Sequence, residues 1–344
     1  MATTRKKQDI FNGDTWRLKM IRLFAGMVTG LLMLTGSASA QDAWPSKPIT
    51  LVMPYAVGGG ADLMARVLAE SLRRNLGQPV TVANVTGAGS VLGSRQVAQA
   101  APDGYMLLMN HIGLSTAPAL YKNLQFDPVK SYEHIGLIAE IPMLVVGGKH
   151  VPAKDVKELI EYVRKNKDKV TMASSGMGSG THLCAMLFQK AVGAQVTMVQ
   201  YKGSAPAYAD IQSGRVDLMC DSTGGSVAQV KGGAVNAFVV TGNKRISSLP
   251  SVPYSAEGGL NDLGAMTVWY GLFAPAGTPK PILDRLSGAL KAAIRDPEVI
   301  SKMNSWDATL YDVKYAVPSA LRDTMAKNVA LWTQLIQASG LTPQ

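Results

Sequence analysis

Residues 49–62 read Ile-Thr-Leu-Val-Met-Pro-Tyr-Ala-Val-Gly-Gly-Gly-Ala-Asp. The nearly continuous apolar start predicts a strand over 49–53, of the kind covered on both faces. Pro54 ends it, three glycines follow, and a helix is predicted over 62–76. There Leu63, Val67, Leu68, Leu72 and Leu76 recur near helical spacing, with Arg66, Glu70, Arg73 and Arg74 between them and Gly77 as the stop. A strand, a glycine loop and a helix start aim several backbone N–H groups and the positive end of a helix dipole at one point. The unit is therefore an anion cradle. A second one occupies 170–182, Val-Thr-Met-Ala-Ser-Ser-Gly-Met-Gly-Ser-Gly-Thr-His.

Outward from the two cradles, strand and helix signals alternate. Strands are expected at 80–82 and 105–109 around a helix over 90–100, and a new section opens with a strand at 141–146. That section continues with helices at 155–167, 181–191, near 206–213 and near 226–230. Between them come strands at 170–173, 196–200, 216–220 and 237–240. After a loop-rich stretch punctuated by Pro250, Pro253, Gly258 and Gly259, a strand at 268–274 leads into helices at 279–294, 297–304 and 319–339. The rhythm predicts an α/β protein with mostly parallel, doubly wound sheets in two lobes joined by a hinge. Residues 41–145 form the first part of lobe one, 146–265 form lobe two, and 266–344 return to lobe one.

The first 40 residues set the compartment. Six basic residues (Arg5, Lys6, Lys7, Arg17, Lys19, Arg22) precede an apolar run over 23–34, which ends in Ser37-Ala38-Ser39-Ala40. This is an export signal with an A-x-A cleavage pattern, and the run is shorter than the ~20 residues a membrane span needs. Removing it takes away six basic and two acidic residues, so the formal charge of +10 falls to +6. The surplus favours anionic ligands, but scattered lysines without an Arg/Lys stripe exclude a nucleic-acid surface. The mature chain is expected to be a periplasmic monomer, not embedded in the membrane. Cys184 and Cys220 are the two cysteines. An exported chain favours a disulfide between them over free thiols, and over a metal site that has no C-x-x-C motif and no histidine at ligand spacing.

Candidate ligand contacts follow from the cradles. Gly58, Gly59 and Gly60 admit a ligand close to the backbone, Tyr55 offers a ring wall and a hydroxyl, and Asp62 stands where a helix cap belongs. In the second cradle Ser174, Ser175, Ser179 and Thr181 supply hydroxyls beside Gly178. His111, and the pair Asp221 and Thr223, sit at strand ends, where open α/β sheets bind ligands. Trp269 and Tyr270 lie near the expected hinge and are candidates to line the cleft. There is no G-x-S-x-G elbow, no phosphate loop ending in Gly-Lys-Ser/Thr and no H-E-x-x-H, and no cofactor is expected. The residues imply a two-lobed receptor closing on a small carboxylate. A receptor feeding a membrane sensor and an exported hydrolase of the same shape are the alternatives.

Several runs resemble the Bug-type (TctC-like) extracytoplasmic solute receptors of tripartite tricarboxylate transporters. They are Trp44-Pro45-Ser46-Lys47-Pro48-Ile49, Pro54-Tyr55 with Gly58-Gly59 and Asp62, Gly77-Gln78, Gly87-Ala88-Gly89, Ala101-Pro102-Asp103-Gly104-Tyr105, Tyr201-Lys202-Gly203 and the stretch from Trp269 to Pro279. The second cradle belongs to the same pattern, with Ser174-Ser175-Gly176, Gly178-Ser179 and His182-Leu183. The resemblance implies a two-lobed periplasmic-binding-protein (Venus flytrap, type II-like) fold, a small organic carboxylate ligand, and membrane transporter subunits as partners. It also implies that Gly58, Gly59 and Asp62 form one half of the site and Ser174, Ser175, Gly178 and Ser179 the other. Cysteines at the positions of Cys184 and Cys220 recur in the family. The chain departs from it at Cys220-Asp221-Ser222, where relatives often read Cys-Asp-Gln, and at Pro253-Tyr254, where they often read Pro-Thr.

Overall fold

The structure is a computed structural model that describes residues 1, 2, 44–338, 341 and 343. The export signal assigned to 1–40 lies almost wholly outside the described residues. In chain order the strands and helices are β1 (Ile49–Met53), α1 (Gly60–Leu76), β2 (Val80–Asn84), α2 (Val91–Ala98), β3 (Met106–His111), α3 (Gly113–Leu120) and β4 (Tyr132–Gly147). Then come α4 (Val156–Lys165), β5 (Thr171–Ser174), α5 (Gly180–Val192), β6 (Thr197–Gln200), α6 (Ser204–Gln212), β7 (Leu218–Ser222), α7 (Thr223–Lys231) and β8 (Asn236–Val240). The chain finishes with β9 (Thr267–Pro275), α8 (Lys280–Arg295), α9 (Pro297–Ser305), β10 (Thr309–Leu310) and α10 (Pro318–Ala338). Among the described residues no helix is long and apolar enough to cross a membrane.

The strands run in the order β2-β1-β3-β9-β4-β7-β5-β6, with β8 and β10 paired to β4. Each end of this order is a parallel βα unit: β1 pairs with β2 and β3, and β5 pairs with β6 and β7. The strands between them, β9 and β4, run antiparallel to their neighbours. β4 is the crossing strand. Its residues up to Pro142 pair with β9, and from Met143 onward it pairs with β7 and β8. One strand therefore serves both lobes, as a hinged two-lobed protein requires. The sequence reading placed only residues 141–146 in a strand there. Glu133, His134 and Gly136 hid the first half, because a strand shared by two sheets does not alternate apolar and polar residues.

Each lobe has its own core. In the first, Ile49, Leu51, Leu68, Leu107, Leu108 and Phe273 are fully buried. In the second, Leu144, Val146, Ala173, Ile211, Met219 and Val240 form one cluster. The C-terminal helices pack on first-lobe elements, α8 on α1 and α10 on α3 and β4. Gly77 ends α1 in the left-handed conformation at φ 75°, its N–H bonded to the Arg73 carbonyl. α3 escaped the sequence reading because Pro118 falls inside it. Cys184 on α5 and Cys220 on β7 form the expected disulfide, with Cα atoms 5.9 Å apart.

Candidate functional site

The first turns of three helices and the N-cap of a fourth meet at one cavity. Its walls include Gly59, Gly60 and Ala61 at the start of α1, Gly180 and Thr181 at the start of α5, Ser204 opening α6, and Ser222 capping α7. The first N–H groups of a helix have no intrahelical acceptor, so these ends offer donors as well as positive dipole ends. α1 comes from the first lobe; α5, α6 and α7 come from the second. Among the described residues no lysine or arginine lines the cavity. The positive character of the cavity comes from backbone. The cavity measures ≈ 30 Å³, room for one or two waters, whereas ligand pockets run to ~300 Å³ and more. Admission of an organic acid therefore needs the lobes to move apart.

An aromatic wall closes one side. The rings of Tyr55 and His111 stack at 4.5 Å, and Tyr270 meets His111 edge-on at 5.3 Å. The Gly113 N–H donates to His111 Nδ1 at 3.0 Å, and burial pushes the imidazole down to about 3, so it is neutral at any physiological pH. Of Trp269 and Tyr270, only Tyr270 reaches the cavity.

The structure brings Tyr55, Gly59, Gly60, His111, Ser175, Thr181 and Asp221 together at this cavity and places the other candidates behind it. Asp62 is buried inside α1 rather than at its cap, which is Gly59 in extended conformation. Its carboxylate accepts from Gly58 N at 2.9 Å, Arg66 Nε at 3.0 Å and Asn84 Nδ2 at 2.9 Å. Burial opposes its charge, but the three donors hold its pKa below the ordinary carboxylate value. Asp62 thus fixes the loop that carries Gly58, reaching back to the residue before the cap. Ser174 turns away and donates to Gln200 Oε1. Ser179 caps α5, accepting from His182 N at 3.3 Å, and its hydroxyl shares a 2.8 Å bond with Thr181.

Gly178 and Thr223 belong to the seam between the lobes. The Gly178 carbonyl accepts from Thr116 Oγ1 at 2.8 Å, and Thr223 Oγ1 donates to the Trp306 carbonyl. The seam continues through Ala56 N to Lys202 O at 3.0 Å and Tyr121 Oη to Met177 O at 3.3 Å. At its far side Asp307 accepts from the amide and hydroxyl of Ser247 at 2.8 and 2.6 Å. Two glycines make the approach this close. A Cβ on Gly60 would lie 2.9 Å from Gly225 N, and one on Gly89 would lie 1.8 Å from Met177 O.

Sequence reasoning missed Ser204 and Ser222 as wall residues. Ser204 had a signal: a small hydroxyl residue two positions before Pro206 is a helix start, and α6 begins there. Ser204 Oγ donates to Asp221 Oδ1 at 2.7 Å, and the buried Tyr208 hydroxyl and the Ser222 amide also bear on the same carboxylate. Desolvation pushes the Asp221 carboxyl up to about 6. A raised folded pKa means the unliganded fold gains stability from a neutral Asp221 at low pH and loses it as pH climbs through 6. Asp221→Asn is therefore expected to stabilise the unliganded protein above pH 7, by at most about 3 kcal/mol, and to change nothing below pH 4. Urea unfolding at the two pH values checks this; an equal effect at both would contradict it. Among the described residues no group of three His, Cys, Asp or Glu side chains is placed to hold a metal ion.

Comparison with known proteins agrees with this architecture. A UPF0065 protein in the TAR-I ttuE-ttuC' intergenic region of Agrobacterium vitis is 42% identical over 319 residues, covering 93% of this chain and 92% of that protein. The periplasmic binding protein BugD superposes with a TM-score of 0.85 at 41% identity, over 88% of this chain and all of BugD. MatC from Rhodopseudomonas palustris, solved with bound malate, gives 0.81 at 32% identity over 85% of this chain and 100% of MatC. The family model described as the tripartite tricarboxylate transporter family receptor matches residues 64–341. With this match over most of its length, and the two-lobed periplasmic-binding-protein fold, the chain belongs to the tripartite tricarboxylate transporter receptor (TctC) family.

Proposed function

We propose that this chain is an exported, periplasmic receptor that captures a small organic carboxylate between its lobes and passes it to the membrane subunits of a tripartite transporter. The observation that carries the reading is the convergence of helix N-termini from both lobes on one cavity that no cationic side chain lines among the described residues. Such a site holds an anion by oriented N–H groups, and it is complete only when the lobes are together. A ligand touching both lobes stabilises the closed state by the second set of hydrogen bonds. The bound malate of MatC, a member of the same fold at 32% identity, supports a carboxylate of this size. In this reading residues 1–40 direct export, 41–145 with 266–344 make the first lobe, and 146–265 make the second. The ligand set is Tyr55, Gly59, Gly60, His111, Ser175, Thr181 and Asp221, with Ser204 and Ser222 added.

A thermal-shift panel of small organic acids on the mature protein tests it. An acid at 100 times its Kd stabilises the fold by roughly 2.7 kcal/mol, a shift of several degrees. The acid should also be recovered unchanged after incubation. A panel without a single shift, or turnover of a bound acid, would overturn the receptor reading.

A further inference from the structure

α9 ends in a turn that glycine ordinarily makes. Ala308 N donates to the Met303 carbonyl at 3.0 Å and Asp307 N to the Asn304 carbonyl at 3.1 Å, the paired bonds of a Schellman motif. The left-handed position of that motif is Asp307, at φ 53°. A Cβ there crowds the carbonyl that follows it, so aspartate is tolerated but glycine fits better. The motif's own hydrogen bonds come from backbone, and the carboxylate adds nothing to them. Its use lies across the seam. Oδ1 accepts from Ser247 N at 2.8 Å, Ser247 Oγ at 2.6 Å and Ser248 N at 3.3 Å, and Oδ2 accepts from Ser248 Oγ.

The two sides of this contact are held by different lobes. On the acceptor side, β10 pairs with Ala139 and Glu140 in the first-lobe half of β4, and α9 packs on α1. On the donor side, the serines stand between Ile246 and Leu249, both buried in the second-lobe core. Arg245, just before them, donates to Glu257 Oε2 and to the Pro250 carbonyl, each at 2.8 Å, and so fixes the loop. Acceptor and donors are therefore preorganised, and closure alone brings them together. The Trp306 carbonyl, one residue before the acid, accepts from Thr223 Oγ1, the neighbour of Ser222 in the cavity wall.

Resting on the two-lobed receptor reading above, we infer that Asp307 is a closure latch: a first-lobe carboxylate that clasps two serines of the second lobe and holds the closed state together. Asp307 is not among the residues that line the cavity. Its effect is therefore the same for every acid. It slows release and scales affinity, and it leaves the order of preference among acids unchanged. Hydrogen bonds to an ionised acceptor are the strong kind, but water takes the place of the serine donors when the lobes part, so only the surplus favours closure.

Spin labels at Arg285→Cys in α8 and Lys167→Cys beyond α4, both exposed and one on each lobe, read the closed and open populations by pulsed EPR distances. The mature protein is measured alone and with malate and the other acids of the thermal-shift panel. Asp307→Gly is expected to lower the closed-to-open ratio at least about fivefold, and to speed release of each acid that binds by a similar factor. The melting temperature of the unliganded protein should stay unchanged or rise, because glycine suits the end of α9. Ser247→Ala with Ser248→Ala keeps both amide donors and the helix end, so it is expected to give a smaller fall, about two- to threefold, without that rise. An aspartate that only shapes the helix end would give unchanged populations and release in Asp307→Gly. That result would overturn the latch and leave the receptor intact, as would a loss confined to one acid among several that bind. Lobes that close neither alone nor with any acid of the panel would remove the receptor reading and this inference with it.

Discussion

Gly60→Val is expected to weaken binding of an organic acid by more than about 100-fold while leaving the melting temperature of the unliganded protein unchanged or slightly raised. Gly60 is the first residue of α1 and takes ordinary helical geometry, so a side chain there costs the helix nothing. With the lobes apart, valine in place of glycine removes backbone freedom from the unfolded chain, a gain of a few tenths of a kcal/mol or more. With the lobes together, its Cβ lies 2.5 Å from Ser222 Oγ and 2.9 Å from Gly225 N. The serine hydroxyl can rotate away; the backbone nitrogen at the start of α7 cannot. Overpacking of this kind costs about 1–3 kcal/mol, and the added methyls of valine put it at the upper end. That penalty falls wholly on closure. Gly59 is the useful contrast, because a Cβ there meets nothing closer than 3.7 Å. Calorimetry beside a melting curve reads the two quantities separately. Unchanged affinity in Gly60→Val would show that closure at this seam is not needed for binding.

Removal of the disulfide has the larger effect on stability. Cys184 and Cys220 are both fully buried, 36 positions apart, and tie α5 to β7 behind the cavity. Opening a loop of that length restores entropy to the unfolded chain worth about 4 kcal/mol on the chain-entropy account. Cys184→Ala with Cys220→Ala is expected to lose about that much, roughly a 6 °C drop in melting temperature. The double variant avoids leaving a lone thiol. Urea unfolding of the mature protein checks it, and a loss under about 1 kcal/mol would refute the assigned contribution. The bond also fixes Thr181 relative to Asp221, since each lies within a few residues of a bridged cysteine. Affinity is therefore expected to fall together with stability.

How much of this was legible in the residues depended on how local the signal was. β1 was read at its observed limits, and Gly77 as its helix stop, because apolar runs and glycine caps act over a few residues. The two cradles were legible for the same reason, and the fold carries both to one cavity. Asp62 was read as a cap and as a ligand contact, yet three glycines in a row permit the helix to start two residues earlier. The acid then falls inside the first turn, facing its own loop. Ser222 was noted as a departure from the related pattern, but nothing local said that α7 would start at it and point at α1. The seam residues Thr116, Tyr121, Trp306 and Asp307 carry no motif. They come together only because the chain leaves the first lobe along β4 and re-enters it at β9, which is a property of the topology.

A crystal structure of the mature protein with an acid drawn from the thermal-shift panel tests the central claim most directly. The ligand carboxylate is expected to accept from N–H groups at the start of α1 and from those opening α5, α6 or α7. An acid held by one lobe alone, or seated outside the convergence of those helix ends, would contradict it.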